Sequence, residues 1–277
     1  MSRLHFLSLT TIPVKILSAE RRILSNATAF FFQSSESRIF LITNWHVVTG
    51  RDPANPRISP TGAVPCLLQT RILRRQNLTN RQNTIRLSEF GDVEFEINCE
   101  NGDNPTWLEH PEFRRQVDVV AIEVPNCDEL KEQYTFNTLN SWNAFQTEYV
   151  PEAMDDVFVI GYPWGVSQSH GSLPIYKRGC IASDPVVPID GLPKLLIDCR
   201  TASGMSGGPV IVSHSGVWNP GGTFSDDSVI GTVNKFLGVY AGRLYVRSQH
   251  AGPNRDVSEI GIVWKEELLA SLAQLRR

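Results

Sequence analysis

Apolar residues in this 277-residue chain arrive in short β-branched runs closed by Gly, Pro, Asn, Asp or Ser, and a helical repeat shows only at the C-terminal end. Alternating apolar residues bury one face of a strand and leave a helix no stripe to bury, so this spacing constrains the fold before any other feature. A first strand runs through Ile12, Val14 and Ile16, and residues 27–32 and 39–43 read as a hairpin turned by the polar stretch 33–37. Further strands are expected over 66–73, 84–90, 93–98, 117–124, 157–162, 175–181, 195–199, 210–212, 229–232 and 236–240. Loops are expected at 49–62 and 101–111, with an exposed Gly/Ser/Asp-rich insertion at 213–227. Val263, Leu268, Leu269, Leu272 and Leu275 recur at helical spacing and predict an amphipathic helix.

Many short strands with turn signals between them point to an all-β barrel or sandwich. The strands fall into two groups around an irregular connector at 126–152. This pattern alone fits two barrels and one long sandwich equally.

A formal net charge of −3, with 20% charged and 41% apolar residues, gives no electrostatic ground for a nucleic-acid or membrane-surface partner. Arg71, Arg74, Arg75, Arg81 and Arg86 form one basic stretch, read as the solvated face of two strands and the turn between them. No run approaches the roughly 18 apolar residues of a membrane helix. The apolar start, Leu4 to Leu9, is interrupted by His5 and Ser8 and lacks a following small-x-small site, so it is read as mature sequence. Cys66, Cys99, Cys127, Cys180 and Cys199 are widely spaced and contain no C-x-x-C, which argues against a disulfide framework and a zinc site. A reducing, cytoplasmic compartment fits. Cys180 and Cys199 fall on neighbouring expected strands, the one place where a bridge is considered.

Three segments place chemically active residues at the edges of apolar runs. They are Thr43-Asn44-Trp45-His46-Val47-Val48, Val117-Asp118-Val119-Val120-Ala121-Ile122-Glu123-Val124 and Gly204-Met205-Ser206-Gly207-Gly208-Pro209-Val210. A serine hydroxyl is a weak nucleophile until a base takes its proton. A neutral imidazole can be that base, and a buried carboxylate fixes its tautomer and steadies the imidazolium. Taken singly, a serine between glycines is a turn, a histidine after tryptophan is a packed residue and Asp118 starts a strand. The competing aspartate, Asp92 in Gly91-Asp92-Val93, precedes a more polar strand.

In the order His46, Asp118, Ser206, with Gly-x-Ser-Gly-Gly around the serine, these segments resemble the chymotrypsin-like (trypsin-fold) serine peptidases over about residues 10–262. The style is that of bacterial HtrA-like domains, and Ile160-Gly161-Tyr162-Pro163-Trp164-Gly165 resembles a strand-end turn of that branch, with no PDZ-like domain following. The resemblance implies two six-stranded antiparallel β-barrels with the active site in the cleft between them. The first, over 1–130, would carry His46 and Asp118; a connector over 131–152 leads to the second, over 153–262, with Ser206, and a helix over 263–277 follows.

The same resemblance implies a serine endopeptidase without metal or organic cofactor, acting on protein or peptide substrates. Ser206 would form the acyl-enzyme, His46 would move the proton, Asp118 would hold His46, and the N–H groups of Gly204 and Ser206 would form the oxyanion hole. Met205 stands where trypsin-like zymogens carry an aspartate that pairs with a newly cut N-terminus, so no activation cut is expected. Arg200 corresponds to the base of the primary specificity pocket, Thr201 and Ser203 to its wall, and Val239, Tyr240, Ala241, Gly242 and Arg243 to the wall opposite. An arginine at the base leans toward acidic or small side chains.

Two other readings stay open. Gly204-x-Ser206-x-Gly208 also fits the nucleophile elbow of an α/β-hydrolase esterase, with Asp226 or Asp227 and then His250 as partners, although 209–212 continues as a strand. The second is a latent or non-catalytic binding module whose oxyanion loop needs a partner. The 213–227 segment and the C-terminal helix are the places for such a regulatory protein.

Overall fold

The computed structural model describes residues 5–53, 55–59, 62–74, 92–101, 104–124, 132, 134–143, 145, 148–168, 173–218, 228–246 and 256–274. The N-terminal half contains β1 (Thr11–Leu17), β2 (Ile23–Gln33), β3 (Ile39–Thr43), β4 (Leu67–Arg74), β5 (Asp92–Asn98), the short pair β6 (Glu100–Asn101) and β7 (Asn104–Pro105), β8 (Trp107–Glu109), β9 (Val120–Glu123) and β10 (Tyr134–Thr135). Eight of these make one curled sheet in the order β10-β4-β1-β2-β3-β9-β8, with β5 also on β4. The C-terminal half contains β11 (Asp156–Gly161), β12 (Ile175–Ile181), β13 (Lys194–Asp198), β14 (Pro209–Trp218), β15 (Val229–Val246) and β16 (Asp256–Lys265). These six close into a barrel in the order β11-β12-β13-β16-β15-β14. Among the described residues helices are few and include α1 (Leu7–Thr10), α2 (Trp45–Thr49) and α3 (Glu267–Gln274).

The protein is therefore mostly β, in two curled sheets. Of the expected pair of six-stranded barrels, the N-terminal one is seen as a curled sheet that does not close among the described residues. There β4 gives one edge to β5 and the other to β1 and then β10, so the sheet ends in β8 and β10 without closing.

Alternation explains why the central strands read as unbroken apolar runs. Along β2, Ala27, Ala29 and Phe31 face the interior of the first sheet, while Phe30 faces the other way, toward Phe236, Val239 and Trp264. In the same way Leu41 of β3 and Val120 and Ile122 of β9 point inward, whereas Phe40, Ile42, Val119 and Ala121 join the core shared between the halves. Strands buried on both faces lose the polar alternation of a half-exposed sheet. Phe30 meets Phe236 edge to face at 5.7 Å and 76°, one of the contacts that lock the halves together. The second barrel has its own interior, with Val157, Val159, Leu195, Ile197, Met205, Val210, Val212 and Val263.

Other segments also differ from expectation. β16 continues to Lys265 and puts Val263 inside the barrel, so the C-terminal helix starts at Glu267 and not at 263. That helix packs Leu268, Leu269 and Leu272 into the core shared by the halves, against residues of β3 and β9 as well as Val239 and Trp264, not on the second barrel alone. The expected insertion at 213–227 is strand as far as Trp218, because β14 keeps its ladder with β15 from Pro209↔Val239 out to Trp218↔Val229. The expected strands at 229–232 and 236–240 are one strand, β15. The expected loop at 101–111 contains β8, which pairs with β9. The strand expected at 84–90, along with Arg75, Arg81, Arg86 and Cys127, lies outside the described residues.

Cys180 stands opposite Asp198, and Cys199 packs beside Gly179. Neighbouring ladder positions face opposite sides of a sheet, so this register keeps the two thiols apart, and both are free. Burial raises the Cys199 thiol to about 11. Among the described residues no helix is long and apolar enough to cross a membrane.

Candidate active site

β3 ends at Thr43, and Asn44 turns the chain into α2, which is closed by Gly50 in a left-handed conformation with its N–H on the His46 carbonyl at 2.9 Å. His46 thus sits in the first turn of a short helix at the rim of the sheet. Asp118, two residues before β9, meets it twice. The His46 backbone N–H donates to Oδ1 at 2.9 Å, and Nδ1 of its ring lies 2.7 Å from Oδ2. A carboxylate only accepts, so in the neutral ring Nδ1 carries the proton and Nε2 keeps its lone pair.

Asp118 is 4% exposed and is flanked by the buried Val117 and Val119. An unpaired carboxylate there would be strongly destabilising, so the two bonds from His46 answer a real desolvation cost. Asn44, which sequence reasoning passed over, donates its Nδ2 to the Asp118 carbonyl at 2.6 Å and fixes the backbone on the aspartate side. Burial acts to lower the pKa of His46. The charge of Asp118, its hydrogen bond and the more distant charge of Asp52 outweigh that effect and leave the pKa above its usual 6.5.

Ser206 comes from the other half, on the loop that leads into β14. Thr28 of β2 ties the serine loop to the N-terminal half. Its backbone N–H donates to the Ser206 carbonyl at 2.8 Å, and its hydroxyl donates to the Gly204 carbonyl at 2.7 Å and accepts from the Tyr162 N–H at 3.1 Å. Thr43 packs from the same side, with its hydroxyl donating to the Thr28 carbonyl at 3.0 Å. A β-carbon on Gly207, whose φ is +86°, would lie 2.1 Å from the Thr28 carbonyl oxygen and 2.4 Å from Thr43 Oγ1. Only glycine lets the serine loop approach this close to the strand that leads to His46.

Gly204, with φ +94°, is confined in the same way: a β-carbon there would meet the Tyr162 carbonyl at 2.4 Å. The carbonyl of the preceding residue, Ser203, accepts from Trp164 N–H at 2.6 Å. A trans peptide points its N–H opposite its carbonyl, so this bond turns the Gly204 N–H away from Trp164. Among the described residues, neither the Gly204 N–H nor the Ser206 N–H is hydrogen-bonded to a protein acceptor.

The other expected site residues separate. Arg200 is solvent-exposed, and so is Ser203. Thr201 is buried, and its hydroxyl bonds to that of Tyr240. The guanidinium that reaches this wall belongs to Arg243, which donates to the Thr201 carbonyl and has Glu259 Oε1 at 3.9 Å. Val239 is buried and pairs with Pro209. Tyr240 exchanges backbone bonds with the serine loop, accepting from Gly207 N–H at 2.8 Å and donating to the Gly208 carbonyl at 2.9 Å. Beyond it, Ala241, Gly242 and Arg243 overrun the start of β14 and have no β14 partner. Asp92, the rival aspartate, begins β5 and pairs with Leu73 in the sheet. Ser206 is followed by strand β14, so the strand–turn–helix of a nucleophile elbow is not built here.

A model of the trypsin-like peptidase domain matches residues 27–218, more than half of the chain, from within β2 to the end of β14. The chain belongs to the trypsin-like peptidase family. Similar solved structures include the active form of the Rv3671c protease from M. tuberculosis, at 16% identity and TM-score 0.44, covering 96% of this chain and 80% of that one. The serine endoprotease from Yersinia pestis is similar at 12% identity and TM-score 0.46, covering 99% and 68%. The HtrA-type protease AlgW with a tripeptide is similar at 13% identity and TM-score 0.47, covering 96% of this chain and 61% of that one. Comparison with curated protein sequences finds no match.

Proposed function

We propose that this trypsin-like peptidase is a serine endopeptidase, with Ser206 as nucleophile, His46 as general base and Asp118 as the partner of His46. The observation that carries the reading is the buried Asp118 carboxylate holding His46 through both its ring Nδ1 and its backbone N–H, beside two loop N–H groups without a protein acceptor. In the reaction Ser206 Oγ attacks the substrate carbonyl carbon as its proton passes to Nε2 of His46. The developing oxyanion takes the N–H groups of Gly204 and Ser206. His46 then gives its proton to the leaving amine, and water repeats the sequence on the acyl-enzyme. The mechanism is taken over from the serine-peptidase template.

The open edge of β15 at Ala241 to Arg243 supplies backbone for an antiparallel substrate strand on the acyl side. With Arg200 exposed and Arg243 reaching the Thr201 carbonyl, Arg243 is the cation nearer the proposed pocket wall, and the lean toward acidic side chains moves to it. Met205 is fully buried in the second barrel and carries no charge to pair with a new N-terminus. The enzyme is therefore read as independent of an activating cut. Protein or peptide substrates in the cytoplasm remain part of this proposal.

A latent module would be expected to use up its oxyanion donors on its own carbonyls. Here the Ser203 carbonyl is held by Trp164, which favours the competent reading. Intact-mass spectrometry after a fluorophosphonate tests it. One adduct on the wild type and none on Ser206→Ala is expected, whereas an unmodified but folded wild type overturns the reading.

A further inference from the structure

Directly after β11, the Pro163–Gly165 turn carries Trp164 with its backbone in the left-handed region at φ 53° and its side chain among the most exposed of the large apolar residues, at 72%. Through its backbone N–H, Trp164 holds the Ser203 carbonyl, and a β-carbon on Gly204 would lie 3.1 Å from the Trp164 nitrogen. Any residue except proline supplies that N–H, and glycine would do so without strain. The indole is a separate feature that the turn itself does not require. Val166, two residues on, is also exposed, so the turn whose backbone meets the serine loop carries two exposed apolar side chains.

Topology fixes which side of the scissile bond this surface faces. β14, which starts just after Ser206, has β15 along one edge and β11 along the other. The acyl side of a bound peptide pairs with the overrun of β15. The chain beyond the scissile bond then leaves on the β11 side, over the Trp164 turn. A groove of about 200 Å³ borders this turn at Tyr162, Gly165 and Ser167, next to Trp164, and is lined on its other side by Lys15, Asn26 and Thr70. It also reaches β2, because Asn26 lines it together with Gly165 and lies two residues before Thr28, whose N–H holds the Ser206 carbonyl.

We infer that Trp164 is a specificity-determining residue for the leaving-group side of the substrate, its indole receiving a large apolar side chain from the first or second residue after the scissile bond as the chain enters this groove. The inference rests on the peptidase reading above. An exposed aromatic face gains from covering by an apolar side chain, and a polar or absent side chain leaves it wet.

The test digests denatured casein with the wild type, Trp164→Ala and Trp164→Phe, and maps cleavage sites by mass spectrometry. Each enzyme is then assayed on paired quenched peptides with Leu or Gly after the preferred cut. The measured quantity is the Leu-to-Gly ratio of kcat/KM, in which any general loss of activity or stability cancels. A ratio of roughly tenfold is expected for the wild type, falling to within about twofold of unity in Trp164→Ala and retained in Trp164→Phe. An equal ratio in wild type and Trp164→Ala overturns the inference while leaving the peptidase reading intact. Absence of both cleavage and fluorophosphonate labelling in the wild type overturns the peptidase reading and this inference with it.

Discussion

The two halves of the molecule hold their shares of the site by opposite means. In the N-terminal half, His46 and Asp118 are joined side chain to side chain, and the carboxylate also takes the His46 backbone N–H. In the C-terminal half, the serine loop is held through its own backbone, by glycines at positive φ, by the N–H and hydroxyl of Thr28 and by bonds with Tyr240. The first arrangement can be tuned by changing a charge or the pH. The second responds to added volume, because its tolerances are set by carbonyl oxygens that lie within 2.1 to 2.4 Å of where a β-carbon would be.

The largest effect is expected from Ser206→Ala, which removes the proposed nucleophile without adding volume. A loss of roughly 10⁶ in kcat, the magnitude typical of serine peptidases, is expected, and the fold should persist by circular dichroism. Asp118→Asn comes next, at about 10⁴ in kcat, again a magnitude taken over from the serine-peptidase template. It also removes the charge that holds the His46 pKa up, so burial prevails and the acid limb of the pH–rate profile moves to lower pH.

In the wild type that limb is expected above pH 6.5, since neutral His46 is the proposed base and its pKa is raised. Stability runs the other way. Charged His46 contributes fully below its unfolded pKa near 6.5 and loses that contribution as pH rises through the raised folded value. Activity should therefore rise over the same window in which this part of the stability falls. A wild-type acid limb at or below 6.5 would break the account of the N-terminal half.

The backbone-held half is probed by Thr28→Val, which keeps shape and removes the hydroxyl shared between Gly204 and Tyr162. Losing one buried hydrogen-bonding group typically costs about 1–3 kcal/mol. Fluorophosphonate labelling should slow by roughly tenfold, the rate equivalent of ~1.4 kcal/mol in the barrier, as the Gly204 peptide loosens. Unchanged labelling with lower stability would mean that Thr28 only packs, and the contrast between the halves would weaken.

What could be read from the sequence follows the same division. His46, Asp118 and Ser206 stand in segments whose local patterns name them. Thr28 does not: it is one hydroxyl in the run Ala-Thr-Ala-Phe-Phe-Phe, and its partners lie 134 and 176 residues away. Asn44 was legible only as a neighbour of His46, since its bond to Asp118 spans 74 residues. The stretch at 213–218 reads as loop by composition, yet its backbone bonds are met by the long ladder to β15. Arg200 and Arg243 are equally plain in sequence, and only the fold shows that Arg243 meets the Thr201 carbonyl. Local chemistry was visible, and partners brought in by tertiary pairing were not.

The smallest effect on catalysis should come from Leu272→Ala, although its effect on stability is large. Leu272 is fully buried on α3, in the core that joins the first sheet to Phe236, Val239 and Trp264. Emptying such a site typically costs about 2–5 kcal/mol, or a fall in Tm of roughly 5–15 °C for a domain of this size. Helix α3 contributes no group to the bonds that place His46, Asp118 or Ser206, so the labelling rate per folded molecule should stay within about twofold at 25 °C. That result would locate the coupling between the halves in the clasp at Thr28. A labelling rate that fell in step with Tm would instead mean that the shared core sets the register of the cleft, and the distinction between a side-chain-held and a backbone-held half would dissolve into one property of the core.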